Sequence, residues 1–225
     1  MDLLSPADLG FNSTLYPAWR PWQRQAILQA LESTKQLVVM AAPTGSGKSV
    51  IALALARILA QQGRKTTILT NRKQLQDQYM GYHFPTNQHV LATGRRNHPC
   101  VLPNETCMAD IAPCTHGFDC DLRKPAAGGP TSIPCPFYRQ RDIAEASLVR
   151  ILNYPFFLLE GRQRAFQSEL LVCDEGHQVD KEILRVASTE FTEFHLRHMA
   201  RQGFELPAPG NFLLAHNPAI LAVAR

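Results

Sequence analysis

"QLVVMAAPTGSGKSVIALALARILAQQG", residues 36–63, decides the fold. Its first part, residues 36–42, is a short apolar run that predicts a buried strand. Residues 42–49 then read Ala-Pro-Thr-Gly-Ser-Gly-Lys-Ser, a turn rich in glycine. From Lys48 onward the apolar residues recur at helical spacing, and Gly63 predicts the stop. Strand, glycine turn and helix in that order make a phosphate-binding loop. Ala42 stands where the pattern has its first glycine. Gly45 and Gly47 let backbone N–H groups turn inward around phosphate oxygens, and the helix N-terminus favours the anion. The candidate nucleotide-binding residues are therefore Thr44, Gly45, Ser46, Gly47, Lys48 and Ser49. Lys48 is suited to the terminal phosphates of ATP and the Ser49 hydroxyl to Mg²⁺.

Outward from that loop, "KTTILTN" (65–71) is β-branched and predicts a second strand. "RKQLQDQYMGY" predicts a helix and "QHVLATG" a third strand. "FYRQRDIAEAS" (137–147) reads as a helix, and "LVRILN" (148–153) and "ELLVCDE" (169–175) as two more strands. Beyond about residue 181 the pattern is helical and amphipathic, broken at "ELPAPGN". Strands alternating with helices predict an α/β domain around a parallel sheet. At the end of its strand, Asp174 is placed to hold Mg²⁺ and Glu175 to orient and deprotonate an attacking water. His177 follows as a candidate on the nucleotide-sensing side. Cys173, inside the strand, reads as a small core residue.

Between these two nucleotide motifs the texture changes. Residues 95–138, "RRNHPCVLPNETCMADIAPCTHGFDCDLRKPAAGGPTSIPCPFY", hold five of the six cysteines among dense Pro and Gly. No period survives there, and the segment reads as an insertion. Disulfides, zinc and an iron–sulfur cluster are all open on residue type alone. The chain has 225 residues, 45% hydrophobic, with a net charge of +4 and a pI near 8.8. That allows one substantial core with a small module, and is compatible with a nucleic-acid partner. "MDLLSPADLG" lacks a secretory apolar run, and no apolar stretch reaches bilayer length. The expectation is a cytoplasmic protein without a membrane partner, nucleoid-associated if bacterial. In a reducing compartment clustered cysteines favour metal over disulfides.

The motifs together resemble superfamily 2 helicases. "DEGH", 174–177, looks like their DEAH box with Gly176 at the alanine position, and "PTGSGKS" is the loop form common there. "AWRPWQRQAI", 18–27, is similar to the Q motif, which implies that Gln23 reads the adenine edge with help from Arg20. "LTNRKQLQDQY", 69–79, resembles the DNA-contacting motif Ia, with Thr70, Arg72, Gln74 and Gln78 as candidates for phosphate contacts. "TGRRNHPC", "CPFYRQR" and "ILNYPFFLL" resemble segments of the iron–sulfur helicases of the XPD/DinG type. That resemblance covers residues 16 to about 180.

The resemblance implies a RecA-like ATP-binding domain from 1–93 and 148–182, an inserted iron–sulfur module at 94–147, and the start of a helical arch domain at 183–225. The implied activity is that of the N-terminal part of an ATP-dependent 5′→3′ DNA helicase, acting on single-stranded DNA or DNA junctions, with a repair or replication complex as the implied partner. Its anchors for a [4Fe–4S] cluster are Cys100 and Cys135. Cys114 and Cys120, in a compact turn with Gly117, complete the set of four, leaving Cys107 spare. Zinc is the chemical rival, with His98 and His116 as added imidazoles, but the paired C-x₂-C knuckles are missing. Arg95, Arg96, Arg123, Lys124, Arg139 and Arg141 are candidates for phosphate contacts along a single strand. Phe118 is a candidate for base stacking, whereas Phe137 and Tyr138 are expected to pack around the cluster. No motif of a second motor domain follows residue 180, so the sequence reads as part of a longer helicase that binds ATP–Mg²⁺ weakly, binds DNA, and does not unwind a duplex alone. The alternatives are a non-catalytic nucleic-acid- or protein-binding module and a zinc-binding, nucleotide-dependent regulator.

Overall fold

The computed structural model describes residues 3–82, 89–125, 129–160 and 166–187. The chain divides into two compact units, Met1–Gly176 and His177–Arg225.

In the first unit the sheet has four strands: β1 (Thr66–Thr70), β2 (His89–Ala92), β3 (Val149–Asn153) and β4 (Leu170–Cys173). Their order is β2-β3-β1-β4, and every pairing is parallel. The expected α/β class with a parallel sheet is what forms, an architecture consistent with a RecA-like helicase domain. All five residues of β1 are buried, as a central parallel strand requires. In β4, which pairs with β1, burial alternates. A reciprocal clamp sets the start of that pairing: the Lys65 N–H donates to Glu169 Oε2 at 2.7 Å, and the Glu169 N–H donates to the Lys65 carbonyl at 3.0 Å.

The helices of this unit are α1 (Pro21–Glu32), α2 (Lys48–Gln61), α3 (Lys73–Gly81), α4 (Pro136–Ala146) and α5 (Tyr154–Glu160). α2 is buried from Val50 to Ala60. A helix apolar all round belongs in a core, and this one packs with Leu9, Phe11, Ile27, Ile68, Tyr79, Val149 and Ile151. Each such Leu or Ile contributes about 1.5–3 kcal/mol by leaving water. The charge within α2 is accommodated, because Arg57 Nε donates to the Leu9 carbonyl at 3.2 Å. Gly63 has φ 71°, the left-handed conformation that ends the helix. A second buried cation, Arg150 of β3, is fully enclosed. It donates to Thr67 Oγ1 at 2.8 Å, to the Glu145 carbonyl at 3.3 Å and to the Gln167 carbonyl.

The strand expected over residues 36–42 does not form. Leu37, Val38 and Val39 are exposed, at 79%, 50% and 82%. A strand needs partners for its backbone groups as well as apolar side chains, and among the described residues no strand pairs with this run. Met40 alone of these four apolar residues packs against the core. Cys173, read as a core residue, is instead exposed on β4.

The described part of the second unit is a short turn, Gly176–Gln178 at its boundary, and the helix α6 (Val179–Ala187). Within it Arg185 and Glu182 are 3.7 Å apart. The remainder of the segment expected to open an arch domain lies outside the described residues. Among the described residues no helix is long and apolar enough to cross a membrane.

Candidate functional site

The glycine loop opens directly into α2, whose capping residue is Gly47. Gly45 and Gly47 have φ of 78° and 91°, a conformation that L side chains rarely adopt. Ser46 stabilises the turn by donating from Oγ to the Pro43 carbonyl at 2.6 Å. Lys48 folds over the same loop, with Nζ donating to the carbonyls of Ala42 (2.9 Å) and Pro43 (3.1 Å). Thr44 and Gly45 are exposed at the rim, and Ser49 is half-buried.

Gln23 of α1 braces this loop from behind. It is buried, its Oε1 accepts from the Arg20 N–H at 3.1 Å, and its Nε2 donates to the Ser46 carbonyl at 3.4 Å. A methyl group added to Gly47 would stand 2.5 Å from that Nε2. Gln23, assigned with Arg20 to adenine, is thus brought to the loop that carries Lys48, and the Arg20 N–H is tied to it through the Gln23 amide.

Asp174 follows the last residue of β4, and its N–H continues the ladder to the Leu69 carbonyl at 3.0 Å. Ligands of open α/β sheets bind at such carboxyl ends. The carboxylate is fixed on both oxygens: Tyr79 Oη donates to Oδ2 at 2.8 Å, and the Glu175 N–H donates to Oδ1 at 3.0 Å. Tyr154 Oη donates to the Asp174 carbonyl at 3.0 Å. Glu175 has φ 55°, a left-handed conformation that costs a non-glycine residue about 1–2 kcal/mol. Strain of this kind gathers where a side chain must be aimed. His177 lies in the second unit, in the turn that follows Gly176.

Tyr79 and Tyr154 were not anticipated from the sequence. The signal that points to Tyr79 is its place on the inner face of α3, since a buried tyrosine hydroxyl needs a partner. Burial, and next the Asp174 charge, pushes that hydroxyl well above its ordinary range, so it is a donor. The opposite face of α3 carries Gln74 and Gln78, both exposed, with Arg72 before them. Thr70, a fourth candidate for nucleic-acid contact, is instead fully buried in β1.

The cysteine segment is a chain of short turns within the first unit. Cys114 lies in a 3₁₀ turn closed by Gly117 at φ 92°. Cys120 and Cys135 are the residues capping the next 3₁₀ turn and α4, and the Cys135 N–H donates to the Leu122 carbonyl at 3.1 Å. Cys100, Cys114, Cys120 and Cys135 line one apolar pocket, together with Phe137, Tyr138 and Ala109. Cys107 is not among its lining residues. Its carbonyl accepts from the Cys100 N–H at 2.9 Å, while its thiol turns to Glu105 Oε2 at 3.6 Å. Among the described residues no three His, Cys, Asp or Glu side chains lie close enough to hold a single metal ion. His98 is engaged elsewhere, 3.1 Å from Thr93 Oγ1 and edge-on to Phe137, and burial lowers its pKa toward the neutral form.

The candidate phosphate-contacting cations separate into groups. Arg95 turns inward over Phe137 (4.4 Å) and Tyr138 (5.2 Å), donates to Tyr138 Oη at 2.9 Å and reaches Cys114 Sγ at 3.9 Å. Arg123 covers Tyr138 at 4.7 Å, and with Arg95, Arg141 and Thr115 it lines a polar cleft beside the cysteine pocket. Arg96 pairs with Asp110, and Lys124 with Asp119 and Asp121, all at the surface. Arg139 is exposed. Phe118 is 53% exposed, whereas Phe137 and Tyr138 are buried.

Residues 17–95 match the family model described as "Type III restriction enzyme, res subunit" (ResIII). That model is a helicase-superfamily P-loop ATPase domain. The match spans α1, the glycine loop, α2, β1, α3 and β2. ResIII similarity therefore covers Gln23, Lys48, Ser49 and Tyr79, and stops before Cys100 and Asp174. No curated protein matched the chain.

Proposed function

We propose that this chain is the ATP–Mg²⁺-binding and DNA-binding N-terminal part of an ATP-dependent 5′→3′ DNA helicase of the iron–sulfur type, in the cytoplasm. The observation that carries the motor reading is the glycine loop with Lys48 at the head of α2, inside a stretch similar to a helicase-superfamily ATPase. Ser49 and Asp174 are the residues suited to Mg²⁺, which when bound neutralises phosphate charge. Lys48, held over the loop by two carbonyls, is the cation that moves onto the terminal phosphates. Glu175, aimed by its left-handed backbone, is the base for water, and His177 is assigned to the nucleotide-sensing side. Arg20 and Gln23 serve the adenine side, with Gln23 also bracing the loop. Arg72, Gln74 and Gln78 offer the nucleic acid an exposed polar face.

For the insertion, residues 94–147, we propose a [4Fe–4S] cluster held by Cys100, Cys114, Cys120 and Cys135. That these four cysteines line one pocket, without Cys107, supports that set. A cluster takes four thiolates, the number of cysteines that line this pocket. The cluster supplies a structural staple for a module with little core of its own. Residues 1–93 and 148–182 form the motor domain in this reading, and 183–225 begin the arch. The test is anaerobic purification with iron and sulfide quantitation. About four irons and four sulfides per chain are expected, retained in Cys107→Ser and lost in Cys114→Ser. A colourless protein with one zinc, or iron lost only in Cys107→Ser, overturns the assignment.

A further inference from the structure

α3 presents two faces of opposite purpose. Its outer face carries Gln74 and Gln78, one helical turn apart and both exposed. Its inner face carries Tyr79, 1% exposed, whose hydroxyl donates to Asp174 Oδ2 at 2.8 Å. One oxygen on α3 thus holds the carboxylate at the end of β4. No other described side chain is shown bonding to the Asp174 carboxylate; its second oxygen is held by a backbone N–H.

We propose that Tyr79 is a positioning residue that couples the outer side of α3 to Asp174. The role rests on the reading of Asp174 as a Mg²⁺ ligand and of Gln74 and Gln78 as nucleic-acid contacts. A nucleic acid that engages Gln74 and Gln78 pulls on a short rigid helix, and Tyr79 is the next residue after Gln78. Any shift of α3 therefore moves the hydroxyl that orients Oδ2. A hydrogen bond to a carboxylate is strong enough for its loss to change metal affinity measurably.

The test uses the whole 225-residue chain and a fluorescent ADP analogue titrated with Mg²⁺, with and without an oligothymidylate. In the wild type the oligonucleotide is expected to shift the Mg²⁺ midpoint by about fivefold, a typical coupling between sites. Tyr79→Phe raises the midpoint about tenfold, the loss of one charged hydrogen bond. It abolishes the oligonucleotide's effect and leaves affinity in EDTA unchanged. A fall in EDTA affinity as large as the Mg²⁺ effect marks a merely structural role and overturns the proposal. So does an unchanged midpoint. A wild-type chain with no Mg²⁺-dependent nucleotide binding overturns the underlying site reading instead. The wild type also gives a readout that no variant's folding can compromise: ¹³C-labelled tyrosine resonances. One of the five tyrosines must respond both to Mg²⁺–nucleotide and to oligonucleotide; no shared response overturns the coupling.

Discussion

Replacing Gly47 by alanine tests how the nucleotide loop is held. Gly47 has φ 91°, and its added methyl would stand 2.5 Å from Gln23 Nε2. The backbone conformation alone costs an alanine about 1–2 kcal/mol. The contact is with the tip of a flexible side chain, so Gln23 would move rather than the backbone. Gln23 is only 4% exposed, however, and its amide bonds both the Arg20 N–H and the Ser46 carbonyl. Losing those two bonds adds about 0.5–1.5 kcal/mol each, so Gly47→Ala should destabilise by roughly 2–5 kcal/mol. Gly45→Ala is the control. Its φ is 78° and nothing lies within 4 Å of its added methyl, so it carries the backbone cost alone. Urea unfolding followed by circular dichroism measures both. Adding Gln23→Ala to Gly47→Ala removes the clash, and the pair should be non-additive by about 1 kcal/mol or more. Equal losses for Gly47→Ala and Gly45→Ala, or strict additivity with Gln23→Ala, would refute the brace.

Two other predictions concern the sheet. Arg150→Met removes a fully buried guanidinium and strands its three acceptors, Thr67, Glu145 and Gln167, so unfolding free energy should fall by about 2–5 kcal/mol; a change below about 0.5 kcal/mol, the level of an ordinary surface substitution, contradicts this. Glu169 is held below its usual carboxylate range by backbone N–H groups, its own first and then that of Lys65. The native state then binds fewer protons than the unfolded chain near pH 4.5, so this contribution is present above that pH and is lost as pH falls through the depressed value. Acid titration of stability should accordingly be shallower in Glu169→Gln, and an identical slope would dismiss the clamp.

The elements that were legible in the sequence are those whose signal is local. "KTTILTN" is β-branched and becomes β1, and the apolar spacing after Lys48 becomes α2 up to its glycine stop. Residues 36–42 show the limit of that logic. Leu37, Val38 and Val39 have the composition of a buried strand, yet strand formation depends on a ladder partner that composition does not supply. The choice of Cys100, Cys114, Cys120 and Cys135, with Cys107 spare, came from the sequence; the fold lines one pocket with those four and sets the Cys107 thiol beside Glu105. Arg95 read as a phosphate contact because it is charged; the fold spends it on Tyr138 and Cys114 instead. The place of Tyr79 on α3 could have been read, but not its partner, which lies 95 residues away.

The loop around Lys48 is proposed to bind Mg²⁺–nucleotide. Equilibrium titration of the wild type and Lys48→Ala with a fluorescent, slowly hydrolysed ATP analogue in Mg²⁺ tests it most directly. Saturable binding to the wild type is expected, with at least about tenfold weaker binding to Lys48→Ala from the loss of one charge-assisted contact to phosphate. Equal affinity in the two proteins, or no saturable binding to the wild type, would contradict it.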